Sequence, residues 1–189
     1  MTAAGLRISV IGLSGSGKST CAALITRFAA EKGLSTVRLP LAEPLYRLQA
    51  QVYAAARTEL PAGAQDQVLM ENLAGHLRRI NPRALLDDFL ARVDDAEAGG
   101  PGPGRVLLND DLRDPHVDAP ALRARGFRIL RITCAESIRQ LRLEERADLS
   151  VADGSTRQLD LVPTDAVIDN SGELADYRAQ VHAVLEGWL

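Results

Sequence analysis

Short apolar runs alternate with amphipathic helical patterns along the whole chain. Such alternation is typical of β-α-β units that build a parallel sheet, so the pattern predicts an α/β fold. The near-continuous hydrophobicity of the runs is what strands covered on both faces require. The runs predict strands at residues 7–12, 35–39, 105–110, 128–133 and 165–169. The helical patterns predict helices at residues 18–32, 43–57, 65–79, 82–95, 117–125, 136–147 and 173–187.

Two segments interrupt this alternation. Residues 98–104 (AGGPGPG) are rich in Gly and Pro, and we interpret them as a flexible connector. Residues 148–163 form a long polar stretch, and long loops in compact domains often serve as lids. Together with the helix before it, this stretch predicts a lid at about residues 139–163, within a single domain that spans residues 1–189.

The composition narrows the class of protein. With 46% hydrophobic and 25% charged residues, the chain is typical of a soluble globular protein. Its net charge of −3 disfavours duplex nucleic acid as a partner, since duplex binders usually carry excess positive charge. No apolar run is long enough to span a bilayer and no signal-peptide cleavage region is recognisable, so we expect a cytoplasmic protein without a membrane partner.

Residues 12–19 read GLSGSGKS, a complete G-x-x-x-x-G-K-[ST] motif between a predicted strand and a predicted helix. In that context, backbone N–H groups and a helix N-terminus converge on a phosphate. Lys18, one of only two lysines in the chain, is expected to reach the β- and γ-phosphates, and Ser19 to ligate Mg²⁺. The motif therefore predicts a nucleoside triphosphate site. Its residues are Gly12, Ser14, Gly15, Ser16, Gly17, Lys18, Ser19 and Thr20.

The classes of P-loop protein differ in their other motifs. A GTPase needs a guanine-reading N-K-x-D, and the second lysine, Lys32, does not lie in one. Motor and AAA-type ATPases usually need a longer chain and a hydrophobic run that ends in Asp-Glu, which RVLLNDD matches only in part. The small size of the chain favours a phosphotransferase.

The segment VLLNDDLRDP places acidic residues and an arginine at the carboxyl end of the third predicted strand, where ligands bind in open α/β sheets. A carboxylate there can hold the Mg²⁺ shell or accept a proton, and an arginine can neutralise phosphate. We expect these roles for Asp111 and Arg113, with Asp110 as a weaker candidate. The alternative is a solvated turn in which Asp114 caps a helix that has Pro115 at its first position.

Three arginines, Arg139, Arg142 and Arg146, fall at i, i+3 and i+7 on one predicted helix face. Taken alone, such arginines indicate a solvated surface with salt bridges to neighbouring glutamates. Because this helix follows the fourth strand and opens the polar loop, we predict that Arg142 and Arg146 close over the triphosphate.

The order of these segments resembles the P-loop nucleoside and nucleotide kinase group, most closely the deoxynucleoside monophosphate kinase family of bacteria and phages. The resembling segments are GLSGSGKST, RLPLAEPLYRL, LMENLAGHLRRINPRALLDDFLARV, VLLNDDLRDP with its Asp-x-Arg, and TDAVIDNSGELADYRAQV. The resemblance implies a three-layer P-loop kinase fold with a five-stranded parallel sheet in the order 2-3-1-4-5. It also implies a helical acceptor-binding region at about residues 42–95.

The resemblance further implies roles for individual residues. ATP and Mg²⁺ are the implied cofactors, with Ser19 and Asp111 at the metal and Arg142 and Asn170 near the nucleotide. The implied catalytic residues are Lys18, Asp111, Arg113, Arg142 and Arg146. The implied acceptor-binding residues are Leu41, Ala42, Leu45, Tyr46, Arg78, Arg79, Arg83, Asp111 and Arg113, with Arg78 favoured over Arg79 for the acceptor phosphate.

The predicted function is transfer of the γ-phosphoryl group of ATP to a (deoxy)nucleoside monophosphate or a similar phosphorylated small molecule. One alternative is a kinase that acts on a hydroxyl group of a nucleoside or another metabolite. Dephospho-coenzyme A kinase and P-loop phosphomevalonate kinase share the general layout and stay open. A nucleotide-binding protein without transfer activity is a rival of another class. The oligomeric state is also open, with a homodimer as one option.

Overall fold

In the computed structural model, which describes residues 5–98, 104–145 and 158–189, five parallel strands form one sheet. Their spatial order, β2-β3-β1-β4-β5, confirms the predicted order 2-3-1-4-5. Each neighbouring pair is hydrogen-bonded in parallel register. The strands are β1 (Leu6–Ile11), β2 (Ser35–Arg38), β3 (Arg105–Asn109), β4 (Arg128–Thr133) and β5 (Ala166–Asp169).

Seven α-helices connect and cover these strands within the described ranges. Each corresponds to a predicted helix, and the boundaries differ by at most three residues. The helices are α1 (Lys18–Glu31), α2 (Glu43–Ala55), α3 (Gln67–Ile80), α4 (Ala84–Ala98), α5 (Asp118–Ala124), α6 (Glu136–Glu144) and α7 (Leu174–Glu186). None of the described helices combines the length and apolar character that crossing a membrane demands. Most of the predicted connector, and residues 146–157 of the predicted lid, lie outside the described residues.

The predicted cap of α5 is wrong. The helix begins at Asp118, and Asp114 instead closes a turn in which its carboxylate accepts the backbone N–H groups of His116 and Val117 at 2.8 and 2.9 Å. Aspartate readily makes such bonds to amides two or three residues further on, before the chain becomes helical. Pro115 therefore lies in this turn and not in the first turn of α5.

The core follows the alternation of side chains along the strands. On β1, Leu6, Ile8 and Val10 point to the face covered by α1 and α7, while Ile11 points to the face covered by α4 and α5. A third, small cluster of Leu45, Met70 and Leu85 joins α2, α3 and α4. The cluster thus joins α2 and α3 to α4, whose other buried side chains, Leu86, Phe89 and Val93, belong to the core against the sheet.

Candidate active site

The P-loop, residues 12–17 between β1 and α1, has a backbone conformation that only glycine adopts easily. Gly15 and Gly17 have φ angles of +81° and +103°. A Cβ atom on Gly15 would lie 2.9 Å from the carbonyl oxygen of Arg139, and one on Gly17 would overlap the side-chain amide of Asn170. The loop backbone therefore packs directly against α6 and the end of β5, which explains why glycine is required at both positions.

The N-terminus of α1 is suited to bind an anion. The helix begins at Lys18 without a side-chain cap and without an acidic residue in its first turn, and the N–H groups and positive dipole end of a helix N-terminus attract anions. The Lys18 ammonium lies over the loop and donates to the carbonyl oxygens of Gly12 and Leu13 at 2.8 and 2.9 Å. Ser19 and Thr20 follow on the exposed first turn of the helix.

Two other predicted nucleotide-binding residues lie against this loop. Asn170 is buried directly after β5, and its amide donates to the carbonyl oxygen of Ser16 at 2.8 Å. Arg142, on α6, donates to the carbonyl oxygen of Asn170 at 3.3 Å and to Cys134 Sγ at 3.4 Å. The third, Arg146, lies outside the described residues.

Asp110 and Arg38 form an ion pair at the carboxyl ends of β3 and β2. Arg38 Nε and Nη2 donate to the two carboxylate oxygens of Asp110 at 3.1 and 2.5 Å. The carboxylate is almost completely buried, whereas the arginine side chain is 58% exposed. Such two-point pairing fixes the orientation of both groups. Arg38 was not among the predicted site residues.

Asp111 connects β3 to the beginning of the acceptor region. Its two carboxylate oxygens accept the backbone N–H groups of Leu41 and Ala42 at 2.7 and 2.9 Å, and the side-chain amide of Asn109 at 2.7 Å. Burial raises the pKa of Asp111, and the two backbone hydrogen bonds lower it. Asp111 therefore holds the segment that leads into α2.

A cavity of about 510 Å³ extends from the P-loop to the loop at residues 61–64. Its walls combine P-loop residues, the carboxyl ends of β2 and β3, and the faces of α2 and α3. The predicted residues that line it are Ser14, Gly15, Gly17, Lys18, Ser19, Leu41, Ala42, Leu45, Tyr46, Arg78, Asp111 and Arg113. Burial raises the pKa of the Tyr46 hydroxyl to about 12, so this group stays protonated at neutral pH.

The four predicted acceptor-region arginines differ in their positions. Arg78 lines the cavity, and its Nη2 donates to Asp118 at 2.9 Å. Arg113 also lines the cavity, and it makes no hydrogen bond or ion pair with any residue in the described part of the chain. Arg79 and Arg83 are exposed and lie outside the cavity lining.

Several lining residues were missed, and four of them lie on one face of α3. Gln67, Met70, Glu71 and Ala74 follow the spacing of a helix face, together with the predicted Arg78. The sequence contains this spacing, but hydrophobic periodicity does not reveal it, because the face mixes polar and apolar side chains. The other missed residues are Arg38, Pro61, Ala62, Gly63, Ala64, Gln65, Leu85 and Asp118, with Asp110 considered only as a weaker candidate.

The cavity offers oxygen ligands for a magnesium ion. Ser19, Asp110 and Asp111 all line it, and Mg²⁺ prefers hydroxyl, carboxylate and phosphate oxygens. Among the described residues, no group of three or more His, Cys, Asp or Glu is arranged to hold a metal ion. This arrangement fits an ion that one or two carboxylates hold together with substrate phosphates.

The architecture is that of the P-loop kinases. Three solved structures with this fold align over nearly the whole chain. They are a gluconokinase from Sinorhizobium meliloti 1021 (17% identity, 97% of this chain and 92% of that one, TM-score 0.53), TT1252 from Thermus thermophilus (21%, 98% and 99%, 0.56) and a shikimate kinase from Bacteroides thetaiotaomicron (11%, 96% and 97%, 0.52). No protein-family model and no curated protein sequence matches the chain. At these identities the likeness shows the fold, and the closer resemblance to deoxynucleoside monophosphate kinases stays a prediction.

Proposed function

We propose that this protein is an ATP-dependent kinase that phosphorylates a small molecule. The observation that carries the proposal is the continuity of one cavity, which the P-loop lines at one end and the acceptor region at the other. A donor phosphate on the P-loop would thus face an acceptor held by α2 and α3. Phosphoryl transfer depends mainly on such positioning and on charge neutralisation.

The donor end supplies the groups that a transferring phosphoryl needs. We assign the binding of the β- and γ-phosphates to the P-loop amides and Lys18, whose ammonium already lies above the loop. Arg142 and Asn170 are assigned to the nucleotide side of the loop, and Arg146 to the lid. Arg113 is assigned to the charge that develops during transfer.

A magnesium ion would be held by Ser19 together with Asp110 and Asp111. When bound, it neutralises phosphate charge and orients the donor. The carboxylate of Asp111 already accepts three hydrogen bonds, so we assign it contact with the ion through water.

The acceptor end favours an anionic substrate. Arg113 lacks a carboxylate partner among the described residues, and Arg78, which pairs with Asp118, lies in the same lining. An acceptor phosphate or carboxylate would neutralise Arg113 and could also accept a hydrogen bond from Arg78, while Leu45, Met70 and Leu85 would contact its apolar part. A (deoxy)nucleoside monophosphate is therefore the first class of acceptor to test.

A second candidate is a hydroxyl acceptor on an anionic metabolite. Two of the structural relatives are named as a gluconokinase and a shikimate kinase, not as nucleotide kinases. Transfer to a hydroxyl also needs a base, and Asp111, whose pKa burial raises, lies in the cavity to accept the proton.

The test is to incubate the protein with ATP, Mg²⁺ and a panel of nucleosides, nucleoside monophosphates, sugar acids and phosphorylated metabolites. The proposal predicts that ADP forms rapidly with one class of acceptor and slowly without any. Tight ATP binding without ADP formation for every member of the panel would contradict it and favour a non-catalytic nucleotide-binding protein.

A further inference from the structure

Three backbone carbonyl groups of the P-loop accept hydrogen bonds from side chains that do not line the cavity. Three such side chains, from α6, from the end of β5 and from α7, each donate to a different carbonyl. We call them the outer donors. The bonds run from Arg139 Nη1 to Ser14 O (3.1 Å), from Asn170 Nδ2 to Ser16 O (2.8 Å) and from Tyr177 Oη to Gly17 O (3.1 Å).

All three outer donors are buried. Tyr177 is 1% exposed, Asn170 5% and Arg139 8%. Buried polar groups need hydrogen-bond partners, because leaving one unsatisfied costs much of the free energy of its hydration. Each donor therefore helps to hold its carbonyl in place, and the Gly17 carbonyl also accepts the backbone N–H of Cys21 in α1 at 2.9 Å. No local sequence pattern links these positions, since Arg139 lies about 30 residues before Asn170 and Tyr177 lies in the helix that follows.

The geometry of the peptide group converts these bonds into an orientation of the loop amides. In a trans peptide, the carbonyl of one residue and the N–H of the next residue point in opposite directions. A carbonyl held from outside thus turns the following N–H toward the inside. The three N–H groups affected belong to Gly15, Gly17 and Lys18, and all three residues line the cavity.

We propose that Arg139, Asn170 and Tyr177 are positioning residues that direct the P-loop amides toward the phosphates of the donor nucleotide. This inference rests on the proposed function, in which the P-loop holds ATP. It assigns Asn170 an action through the loop backbone, and it gives roles to Arg139 and Tyr177, which have none in the proposed function.

Arg139 also joins α6 to the loop. Its Nε and Nη2 donate to the two carboxylate oxygens of Glu136 at 2.8 and 2.7 Å, which leaves Nη1 directed at Ser14. Its own carbonyl oxygen closes the space beside Gly15, where a Cβ atom would be 2.9 Å away. Arg139 therefore contacts the loop twice, through its side chain at Ser14 and through its backbone carbonyl at Gly15. A shift of α6 would turn the Ser14–Gly15 peptide.

The cleanest test removes a single hydroxyl. Tyr177→Phe keeps the buried ring and deletes the bonds of its hydroxyl to the Gly17 carbonyl and to the Cys21 thiol. Tyr53→Phe is the matched control, because its hydroxyl bonds to Asp66 at 2.9 Å and the residue lies outside the cavity lining. Calorimetric titration with MgADP and with adenosine, which has no phosphate, separates changes in phosphate binding by the loop from changes in binding of the nucleoside. We expect Tyr177→Phe to weaken ADP binding by about threefold to tenfold and to leave adenosine binding unchanged. We expect Tyr53→Phe to bind both ligands with wild-type affinity.

The second variant, Arg139→Met, removes the charged donor and keeps an apolar stem. Its control is Arg27→Met, which alters an exposed arginine of α1 that pairs with Glu31. We expect Arg139→Met to weaken ADP binding by at least about tenfold and adenosine binding not at all. Arg139→Lys, which keeps a charged donor, should recover part of the loss.

Unchanged ADP affinity in folded Tyr177→Phe and Arg139→Met proteins would overturn the inference. An equal loss of ADP and adenosine affinity would also overturn it, because a general structural defect does not discriminate between the two ligands. If Arg139→Met fails to fold, the ADP affinity of Tyr177→Phe still tests the inference. Should the wild type bind ADP but transfer no phosphoryl group, the proposed function fails, while the comparison of ADP with adenosine continues to test the outer donors.

Discussion

The two ends of the cavity are built in different ways. The donor end is made from consecutive residues of one loop and the helix that follows it, and it presents mainly backbone N–H groups. The acceptor end is made from side chains of β2, β3, α2, α3 and α5, which lie far apart in the sequence. The donor end rests on the main core, whereas α2 and α3 at the acceptor end pack against α4 through a small separate cluster.

The same contrast applies to charge. At the donor end, buried side chains donate to the carbonyl oxygens of Ser14, Ser16 and Gly17, and we propose that loop amides bind phosphate. At the acceptor end, Arg38 pairs with Asp110 and Arg78 with Asp118, so most guanidinium groups are already neutralised by the protein itself. Changes at the donor end should therefore affect transfer to every acceptor, while changes at the acceptor end should be selective.

The largest effect is expected for Lys18→Met at the donor end. Losing a charge that stabilises the transferring phosphoryl should lower kcat by about a hundredfold or more. Lys32→Met is the matched control, because Lys32 is the only other lysine and pairs with Glu186 on the surface at 2.6 Å. Steady-state kinetics of ADP formation measure both. Full activity of Lys18→Met would contradict the assignment of the donor end.

Arg113→Met tests the selectivity of the acceptor end. Loss of a charged hydrogen bond should raise KM for an anionic acceptor by about tenfold to a hundredfold, with KM for ATP unchanged. Arg47→Met, which alters an exposed arginine on α2 that pairs with Asp88, serves as the control. An equal rise of both KM values would mean that Arg113 does not discriminate between the two ends.

Arg78→Met should destabilise the protein as well as weaken acceptor binding. It leaves the carboxylate of Asp118, 2% exposed, without its ion-pair partner, a loss expected to cost about 3 kcal/mol. Arg83→Met, which breaks an exposed pair with Asp87, should cost only about 0.5 kcal/mol. Denaturant unfolding measures both free energies. Equal losses would show that the buried Arg78–Asp118 pair contributes no more to stability than the exposed Arg83–Asp87 pair.

The cost of Arg78→Met should depend on pH. Burial raises the pKa of Asp118, and Arg78 opposes this rise, so removing the arginine raises the pKa further. A carboxyl group with a raised pKa in the folded state binds more protons folded than unfolded, so its unfavourable effect grows as the pH rises through that pKa. The difference in unfolding free energy from the wild type should therefore be smaller at pH 5 than at pH 8. A difference that grows on acidification would contradict this explanation.

The smallest effect concerns the two cysteines. Cys21 is fully buried below the P-loop, and burial raises its pKa to about 12, so it should not react with a thiol reagent in the folded protein. Cys134, near Arg142, is partly exposed and should react first. Counting modified thiols before and after denaturation tests this. Rapid modification of both in the native state would show that the core around α1 opens readily.

The donor end could be predicted from the sequence because its chemistry lies in contiguous residues. The proposed roles of Gly15, Gly17 and Lys18 depend on local backbone geometry, which their motif specifies directly. The strands and helices could also be predicted from the sequence, since hydrophobic periodicity is a local signal and each run matched its element. The sheet order came from the resemblance and was confirmed.

The acceptor end could be predicted only in part because its chemistry depends on pairing between distant residues. Nothing local distinguishes Arg38 or Asp118 from other surface charges, and their partners lie 72 and 40 residues away. Arg83, by contrast, was expected at the acceptor and instead pairs with Asp87 one helical turn away on the surface. The Asp114 cap failed for a related reason, because a turn competed for the same side-chain oxygen.

The most direct test of the central claim, that donor and acceptor meet in one cavity, is transfer of label from γ-labelled ATP to the acceptor identified by the panel. We expect the wild type to place the label on the acceptor, Arg113→Met to do so only at raised acceptor concentration, and Lys18→Met not to do so. Label released only as inorganic phosphate, at a rate unaffected by any acceptor, would contradict it.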